Sequence, residues 1–425
     1  MSERIIALLK ENPLVADYRL NTVKTESYEM FFVHRDLETV RSTDTATRKV
    51  TVFVQKDGKL GDATFSVYAS YTDEDIRREI AAACKKASLA GNEPYNLPAN
   101  ETLMRESDSN FKEYDTADLA AAIADAVFAA DCEEGGSINA LEVFLYRDTV
   151  SVKNSRGIDK TEIRYHAMVE AIPTYNGENM SVELYEQYNF SSLDLNDLRG
   201  EIAGKMAEVR ARFEAVKPDA PLEGNVILNK LELEDLFFNI ARSLNYASVY
   251  SHSNLWNKGD AIQKAPQGDV IGITMAGQAP GSVRSSQFDS DGLALNSIRI
   301  VEGGKAAAYY GSNRYGQYLG EVPTGDLRCL CADPGTASAE AFTSGKYLEV
   351  ISMSGLQVDF YNDYIGGEVR LAYYHDGEKT VPVTGVSISG KLSQVLDKIR
   401  FSSELAVQGG YFGPAKAALQ DMTIF

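Results

Sequence analysis

The chain has 425 residues, 44% hydrophobic and 24% charged, a composition typical of a globular protein with two or three domains. Its formal net charge at pH 7 is −19, from 42 Lys and Arg against 61 Asp and Glu, which argues against the broad basic surface that nucleic-acid binding requires. The acidic excess serves solubility or, alternatively, steers basic peptides towards a cleft.

The N-terminus and the cysteines both bear on where the protein works. The apolar run at residues 5–9 is too short for the core of a signal peptide or for a membrane span, and no other stretch approaches the length of a span. The four cysteines form no Cys-x-x-Cys pair, and so few in a long chain fit a reducing compartment. We therefore expect a cytoplasmic protein that does not enter the membrane.

Residues 1–100 are predicted to form a first α+β unit. Polar and apolar residues alternate at 49–55 and again at 63–70, on either side of Asp57-Gly58, and this pattern predicts a β-hairpin. Thr72 then occupies the place of a helix N-cap before a run of apolar residues at helical spacing. The unit is thus predicted to run from strands through a hairpin to a helix.

Residues 101–219 are predicted to repeat that unit. The sequence FLYRD at 144–148 echoes FVHRD at 32–36, and each is followed by alternating segments and then a helix. Self-similarity of this kind indicates a duplicated supersecondary unit. A helix at 117–130 precedes the second copy, and the proline-containing stretch at 92–106 is interpreted as a linker.

Residues 220–425 are predicted to form a β-rich domain. The sequence KPDAP at 217–221 follows a helix and contains two prolines, which is typical of a domain boundary. Beyond it only 231–244 and 392–399 have helical periodicity, and the remainder is short strand sequence interrupted by glycine. The predicted fold class is α+β, with a duplicated strand–hairpin–helix N-terminal half and a β-rich C-terminal domain.

Candidate metal ligands are scattered along the sequence. The histidines are His34, His166, His252 and His375. None lies at a zinc-binding spacing from another, whereas a catalytic zinc needs three converging protein ligands. Cys329 and Cys331 would share one face of a strand, where they could bind a soft metal or be two small buried side chains. No nucleophile elbow and no phosphate-binding loop is found in the sequence.

Tyrosine is the common aromatic residue, with 23 copies against one tryptophan. Two C-terminal clusters contain Tyr309, Tyr310, Tyr315 and Tyr318, and Phe360, Tyr361 and Tyr364. Tyrosines at this density line peptide grooves and subunit interfaces, but they also favour β-strands. These residues are candidates for the wall of a peptide channel or for a subunit interface.

A series of blocks resembles the TldD/PmbA family, a group of metalloprotease-related proteins. The blocks are FDSDG at 288–292, VEGGK at 301–305, PTG at 323–325, SGLQV at 354–358, GGE at 366–368 and PVTGVSISGKL at 382–392. They follow one another in the family's order, and that order carries the resemblance.

The resemblance implies which branch of the family the chain represents. In TldD-like members a helix carries His-Glu-x-x-x-His, which supplies zinc ligands and a general base for peptide hydrolysis. The corresponding positions here fall in 236–241, where Leu236, Phe237 and Ala241 can neither ligate zinc nor move a proton. The chain therefore resembles the PmbA/TldE branch, whose members lack the motif and pair with a TldD-like subunit that acts on peptides and unfolded segments.

Three functions are left open. The first is a pseudoenzyme subunit, at least dimeric and inactive alone, that positions peptides for a TldD-like partner; it would bind no cofactor, have no catalytic residue and leave the zinc to the partner. The second is a free-standing peptide-binding or structural homodimer without protease activity. The third is an independent hydrolase with an unrecognised site. A neighbouring gene for a chain with His-Glu-x-x-x-His would favour the first.

Overall fold

A computed structural model of the chain describes residues 1–178 and 180–425, which form eight α-helices and 23 β-strands in three sheets. The helices are α1 (Ser2–Glu11), α2 (Asp73–Ala87), α3 (Thr116–Ala129), α4 (Leu195–Glu214), α5 (Lys230–Ser243), α6 (Tyr246–Tyr250), α7 (Asn313–Leu319) and α8 (Leu392–Lys398). Of the helices described, none is both long and apolar enough to cross a bilayer. The α+β fold class is confirmed.

The N-terminal half is built on one eight-stranded sheet. Its strands are β1 (Asp17–Val33), β2 (Asp36–Lys56), β3 (Lys59–Ser66), β4 (Glu101–Glu106), β5 (Gly136–Asn154), β6 (Ile158–Asn176), β7 (Ser181–Glu183) and β8 (Glu186–Phe190). The path is β3-β2-β1-β5-β6-β4, and β7 and β8 also pair with β6. At its centre, β1 and β5 pair antiparallel along 15 residues, from Arg19↔Asn154 to Val33↔Ala140.

The two faces of this sheet have different characters because alternate residues of a strand point to opposite sides. One face carries apolar side chains such as Leu20, Val143 and Val169, which pack under the helices α1 to α4. The other face carries polar residues, including Asp148 and Arg164, and it is turned towards the C-terminal half. The sheet therefore offers a polar surface to the rest of the molecule.

Two local predictions in the first unit are confirmed. The hairpin turns at Asp57 and Gly58, whose φ angles of 51° and 74° suit the tight turn that matches strand twist. Thr72 caps α2, since its hydroxyl accepts a hydrogen bond from the Asp75 amide while the Asp75 carboxylate accepts one from the Thr72 amide.

The two halves of the sheet have a similar order of elements, but the motif from which the repeat was predicted does not lie at equivalent positions in them. The order α1-β1-β2-β3-α2 is followed, after β4, by α3-β5-β6-β7-β8-α4, so each half of the sheet contains a long hairpin between helices. The stretch 32–36 crosses the turn between β1 and β2, whereas 144–148 lies in the middle of β5. These two positions are not equivalent. Alternating aromatic and charged residues occur in any strand with one covered face, so the similarity of the two motifs does not require a repeat.

Three short elements could not be recognised from the pattern of polar and apolar residues in the sequence. The stretch 92–106, interpreted as a linker, contains β4, which pairs in parallel with β6. Five of the six residues of β4 are exposed, so the strand shows no alternation. The helices α6 and α7 have five and seven residues, too few for a helical period to be recognised.

The C-terminal half packs two sheets around α5. Its strands are β9 (Asn225–Asn229), β10 (Ile273–Ala276), β11 (Ile298–Glu302), β12 (Lys305–Ala306), β13 (Cys329–Ala332), β14 (Tyr347–Met353), β15 (Gln357–Asp359), β16 (Tyr364–His375), β17 (Thr380–Val383), β18 (Val386–Lys391), β19 (Arg400–Phe401), β20 (Leu405–Gln408), β21 (Tyr411–Pro414), β22 (Lys416–Leu419) and β23 (Thr423–Ile424). One sheet runs β12-β11-β10-β13-β21-β20 and the other β19-β22-β9-β14-β16-β18-β23, with β15 and β17 on β16. The helix α5 contacts strands of both sheets.

The two halves meet along the polar face of the N-terminal sheet. Val152 and Ile158 form a small apolar cluster with Phe288 from the C-terminal half. Arg19 forms an ion pair with Asp291, in which both side chains are largely buried. The carboxylate of Glu162, itself 2% exposed, accepts hydrogen bonds from the Ser286 hydroxyl at 3.0 Å and from the backbone of the next residue at 3.2 Å. This junction fixes the loop 278–287 above the sheet.

Candidate functional site

A cleft opens beside this junction. Its floor is the polar face of β5 and β6, with Asp148, Arg164 and His166, and its roof is the loop 278–287. The cavity has a volume of about 640 Å³, within the range of about 300–1,000 Å³ typical of ligand sites. A second hollow of about 450 Å³ shares Arg164 with the first and extends it to Phe238 on α5. The cleft thus runs from the N-terminal sheet to the central helix of the C-terminal half.

A gap in the edge of the N-terminal sheet forms one side of the cleft. The strand β4 pairs with β6 as far as Ile163, and β8 pairs with β6 from Ala167 onward. Between these points, residues 164–166 have no strand beside them on that edge in the described part of the chain. The Ser107 amide donates a hydrogen bond of 2.8 Å to the Ile163 carbonyl, so by alternation the backbone groups of Tyr165 also point out of this edge.

Polar side chains surround the gap. Those of Ser107, Asp108, Asn189, Ser191 and Ser192 line it. The Ser107 hydroxyl forms no hydrogen bond with any residue of 1–178 or 180–425. The gap therefore offers both backbone and side-chain hydrogen-bonding groups to a ligand.

His166 is held in the floor of the cleft by two neighbours. Its Nδ1 atom lies 3.7 Å from an oxygen of Asp148, and its ring stacks on Tyr146 with 4.6 Å between ring centroids. The other oxygen of Asp148 accepts a hydrogen bond of 2.5 Å from the Thr25 hydroxyl. Burial, helped by the positive charge of Arg164, lowers the pKa of His166 against the opposing effect of Asp148. The imidazole is therefore neutral at pH 7.

Arginines give the cleft a positive lining on an acidic protein. Arg284 and Arg328 have carboxylate partners, Glu234 at 3.4 Å and Asp326 at 2.8 Å. Arg105 and Arg164 form no ion pair with another described residue, although both line the main cavity. Among the residues that line the two hollows, four arginines stand against two carboxylates, Asp108 and Asp148, so the lining does not share the acidic excess of the whole chain and does not favour basic peptides.

The three positions assigned to the degenerate metal motif lie away from the cleft. Leu236 and Ala241 are 0% exposed and Phe237 is 1% exposed, all within the core of the C-terminal half. Phe237 packs against Phe401 and Tyr411, with ring centroids 5.5 and 5.9 Å apart. These side chains contain no atom that could coordinate a metal ion, and none of them faces solvent.

A different face of α5 approaches the cleft. Phe238 lines the second hollow, with the Arg284 guanidinium 6.0 Å above its ring. One turn earlier, Glu234 bonds Arg284 and the Gly410 amide. A single carboxylate that is already bonded, next to a phenyl ring, does not fit the three-ligand set of a catalytic zinc. No group of three or more metal-ligating side chains converges anywhere in 1–178 or 180–425.

The remaining predicted ligands are dispersed. His34 and His252 lie at turns with φ angles of 52° and 57°, and His375 contacts the Thr380 hydroxyl at 3.0 Å. Cys329 is buried and Cys331 half-buried on β13, and burial raises the pKa of the Cys331 thiol. Of the four histidines, His166 is the one in the cleft. The single sequence signal for this was the alternation of polar and apolar residues along β6, which places His166 on the polar face.

The structure also separates the predicted tyrosines. Tyr310 is 6% exposed, whereas Tyr361 is 79% exposed. Tyr309 is half-buried, with Lys258 5.0 Å from its ring centre, and Tyr315 packs on Tyr250. Tyr364 is half-buried at the start of β16, and none of these five tyrosines lines the cleft. Their role in a channel or interface stays a prediction, and only the exposed Tyr361 tests it without disturbing the core.

We expect the purified chain to contain no stoichiometric zinc, because α5 presents no zinc ligands at 236, 237 or 241. Elemental analysis after dialysis against buffer without chelator is the measurement. About one tightly bound zinc per chain would contradict this expectation, and the chain denatured and refolded in the presence of zinc serves as the control for metal lost in purification.

Comparisons with known proteins bear on the family. Residues 222–424 match the family model described as the PmbA/TldA metallopeptidase C-terminal domain. No curated protein matches the chain. Among solved structures, TldE from Thermococcus kodakarensis is similar at 15% identity with a TM-score of 0.81, over 100% of this chain and 99% of that one.

Two further structures share the fold. A candidate modulator of a DNA gyrase from Thermotoga maritima has 16% identity and a TM-score of 0.74, over 100% of this chain and 99% of that one. Another from Bacteroides thetaiotaomicron has 13% identity and a TM-score of 0.78, over 99% and 97%. Residues 222–424 thus form a PmbA/TldA metallopeptidase C-terminal domain, and the chain as a whole has the fold of these solved structures, in agreement with the resemblance that the order of its sequence blocks carries.

Proposed function

We propose that this chain is a non-catalytic subunit that binds extended polypeptide and presents it to a zinc-carrying, TldD-like partner. The observation that carries the proposal is the cleft between the two halves. It reaches α5, the helix to which the resemblance assigns the metal motif of TldD-like members, and there the apolar ring of Phe238 lines it. A chain of this kind contributes to proteolysis by holding the substrate.

The gap in the sheet edge supports an extended polypeptide as the ligand. A peptide that adds to a sheet edge gains backbone hydrogen bonds that do not depend on its sequence. The open stretch at 164–166 offers one outward-facing residue, Tyr165, and the neighbouring Ser107 and Asn189 offer side-chain hydrogen bonds. The site thus suits a short segment of an unfolded chain.

The cleft chemistry argues against hydrolysis by this chain alone. His166 and Asp148 resemble the base and orienting group of a hydrolase, but nucleophilic catalysis also needs a hydroxyl or thiol that bonds the base. The imidazole of His166 contacts Asp148 and Tyr146, and no serine, threonine or cysteine of the described residues forms a hydrogen bond with it. The independent hydrolase is therefore the weakest of the three functions.

The test measures cleavage of an unstructured peptide by the TldD-like subunit of the same organism, with and without this chain. We expect no cleavage by this chain alone and faster cleavage by the pair. Ser107→Trp, which fills the gap in the sheet edge, should lower the rate of the pair at subsaturating peptide at least about tenfold, the factor that about 1.4 kcal/mol of lost binding produces. Ser344→Trp, at an exposed position outside the cleft, is the matched control.

Two results would contradict the proposal. Cleavage by the chain alone that is lost in His166→Ala would favour the independent hydrolase. A partner whose rate is unchanged by this chain, combined with a stable dimer of the chain in sedimentation, would favour the free-standing homodimer.

A further inference from the structure

The arginines of the cleft indicate that its ligand carries negative charge, although the net charge of the protein is itself negative. The protein is acidic overall, yet Arg105, Arg164, Arg284 and Arg328 line the cleft and its extension. Arginine keeps its charge at any physiological pH. The lining thus contains four positive charges that do not titrate, against the two carboxylates of Asp108 and Asp148, and two of the four arginines lack an ion-pair partner within the described chain.

Arg164 is half-buried without an ion-pair partner, although a carboxylate lies on the adjacent strand. Asp148 is its direct neighbour across β5 and β6. The Asp148 oxygens are turned instead to the Thr25 hydroxyl at 2.5 Å and to His166 at 3.7 Å. The other acidic residue of the lining, Asp108, is fully exposed on the rim and lies 3.8 Å from Lys112. The guanidinium of Arg164 is thus able to form an ion pair with a ligand.

Arg105 is placed to act with Arg164. In the parallel pair of β4 and β6, Arg105 lies opposite Glu162, and Arg164 is the next residue of β6 on the same face. Glu162 is itself buried and bonded to the loop at 286–287. The two guanidinium groups therefore border the same cavity from neighbouring strands, and neither forms an ion pair with Glu162, whose Oε2 atom accepts both hydrogen bonds from the loop.

We propose that Arg105 and Arg164 bind a carboxylate of the polypeptide, so that the cleft selects acidic segments or a free C-terminus. Planar guanidinium groups bind carboxylates through paired hydrogen bonds. Gln278 and Gln287 of the roof can bond the neighbouring peptide groups. A polyanion such as nucleic acid is disfavoured by the net charge of −19 around the cleft. This inference rests on the proposed function for the peptide character of the ligand.

The experiment measures binding of short fluorescent peptides to the full chain alone, so that it does not depend on a protease. Four peptides differ only in charge: acidic side chains with an amidated C-terminus, neutral side chains with a free carboxylate, neutral and amidated, and basic and amidated. We expect at least one of the two carboxylate peptides to bind at least about tenfold more tightly than the neutral amidated one. The peptide that binds more tightly shows whether the arginines recognise an acidic side chain or a free C-terminus.

Variants assign the effect to the two arginines. Arg105→Gln and Arg164→Gln, made separately, should each remove most of the preference for the carboxylate peptide. Arg199→Gln is the matched control, because Arg199 is exposed on α4, on the helix-covered side of the sheet. Arg164→Lys should restore only part of the affinity, since lysine keeps the charge but not the paired donors. Melting temperatures within the error of the wild type show that each variant is folded.

The outcomes separate the two proposals. If no peptide of any charge binds, both the proposed function and this inference fail. If the neutral amidated or the basic amidated peptide binds as tightly as both carboxylate peptides, or if both glutamine variants keep the preference, the carboxylate inference fails and peptide binding stands.

Discussion

Replacing Asp291 by asparagine is expected to lower the free energy of unfolding by about 3 kcal/mol. Asp291 forms an ion pair with Arg19 across the junction of the two halves, where their side chains are 13% and 17% exposed. Burial lowers the pKa of Arg19, and its Nε atom has no other partner in the described chain. Losing the carboxylate would leave a buried guanidinium without an ion-pair partner, because the other acidic groups that act on it, Asp289 and Asp62, form no ion pair with it in the described chain.

The measurement is urea unfolding of the variant and the wild type. Asp326→Asn is the control, since its ion pair with Arg328 is more than half exposed and should matter little. Adding Arg19→Met to Asp291→Asn should recover part of the loss, because no charge then remains unpaired. Equal stability of Asp291→Asn and Asp326→Asn would show that the junction does not depend on this pair.

The second large effect concerns Glu232 in the first turn of α5. This side chain is 2% exposed, and one of its carboxylate oxygens has no hydrogen-bond partner among the described residues. Burial raises the pKa of Glu232 to about 7, with Asp235 adding to the rise and Lys205 opposing it. Between the ordinary value of 4.5 and about 7, the folded protein therefore holds a proton that the unfolded chain has released.

Stability should consequently fall as pH rises through this window. The contribution of Glu232 is fully present below pH 4.5 and is lost as the pH passes about 7, with a change of up to about 3 kcal/mol. Glu232→Gln lacks this titration, so the stability of the variant relative to the wild type should increase from pH 4.5 to pH 8. A difference that is constant over this range would contradict the assignment, whatever its sign at low pH.

Local chemistry made part of the fold predictable. The turn at Asp57-Gly58 and the cap at Thr72 depend on a few adjacent residues, and both are found where the sequence indicates them. The helix at 231–244 has an apolar stripe that the structure buries in α5. Such features need no knowledge of distant contacts, so the sequence suffices.

The candidate site depends on contacts that no local pattern reveals. Arg105, Arg164 and the loop 278–287 come from three separate elements, and only the pairing of β4 with β6 and the packing of the two halves bring them together. Likewise, the sequence shows that Leu236, Phe237 and Ala241 cannot bind zinc, but not that they face the core while Phe238 faces the cleft. Site geometry of this kind follows from tertiary structure alone.

Amide hydrogen exchange with and without an acidic peptide tests most directly whether polypeptide binds in the cleft between the two halves. Backbone amides that a bound peptide covers exchange more slowly, and the affected segments locate the site. We predict slower exchange at 105–108, 164–166, 189–192 and 278–287, with no change at 309–318 and 360–364. Slower exchange confined to the two tyrosine segments, with the four cleft segments unchanged, would contradict the assignment of the cleft as the peptide site.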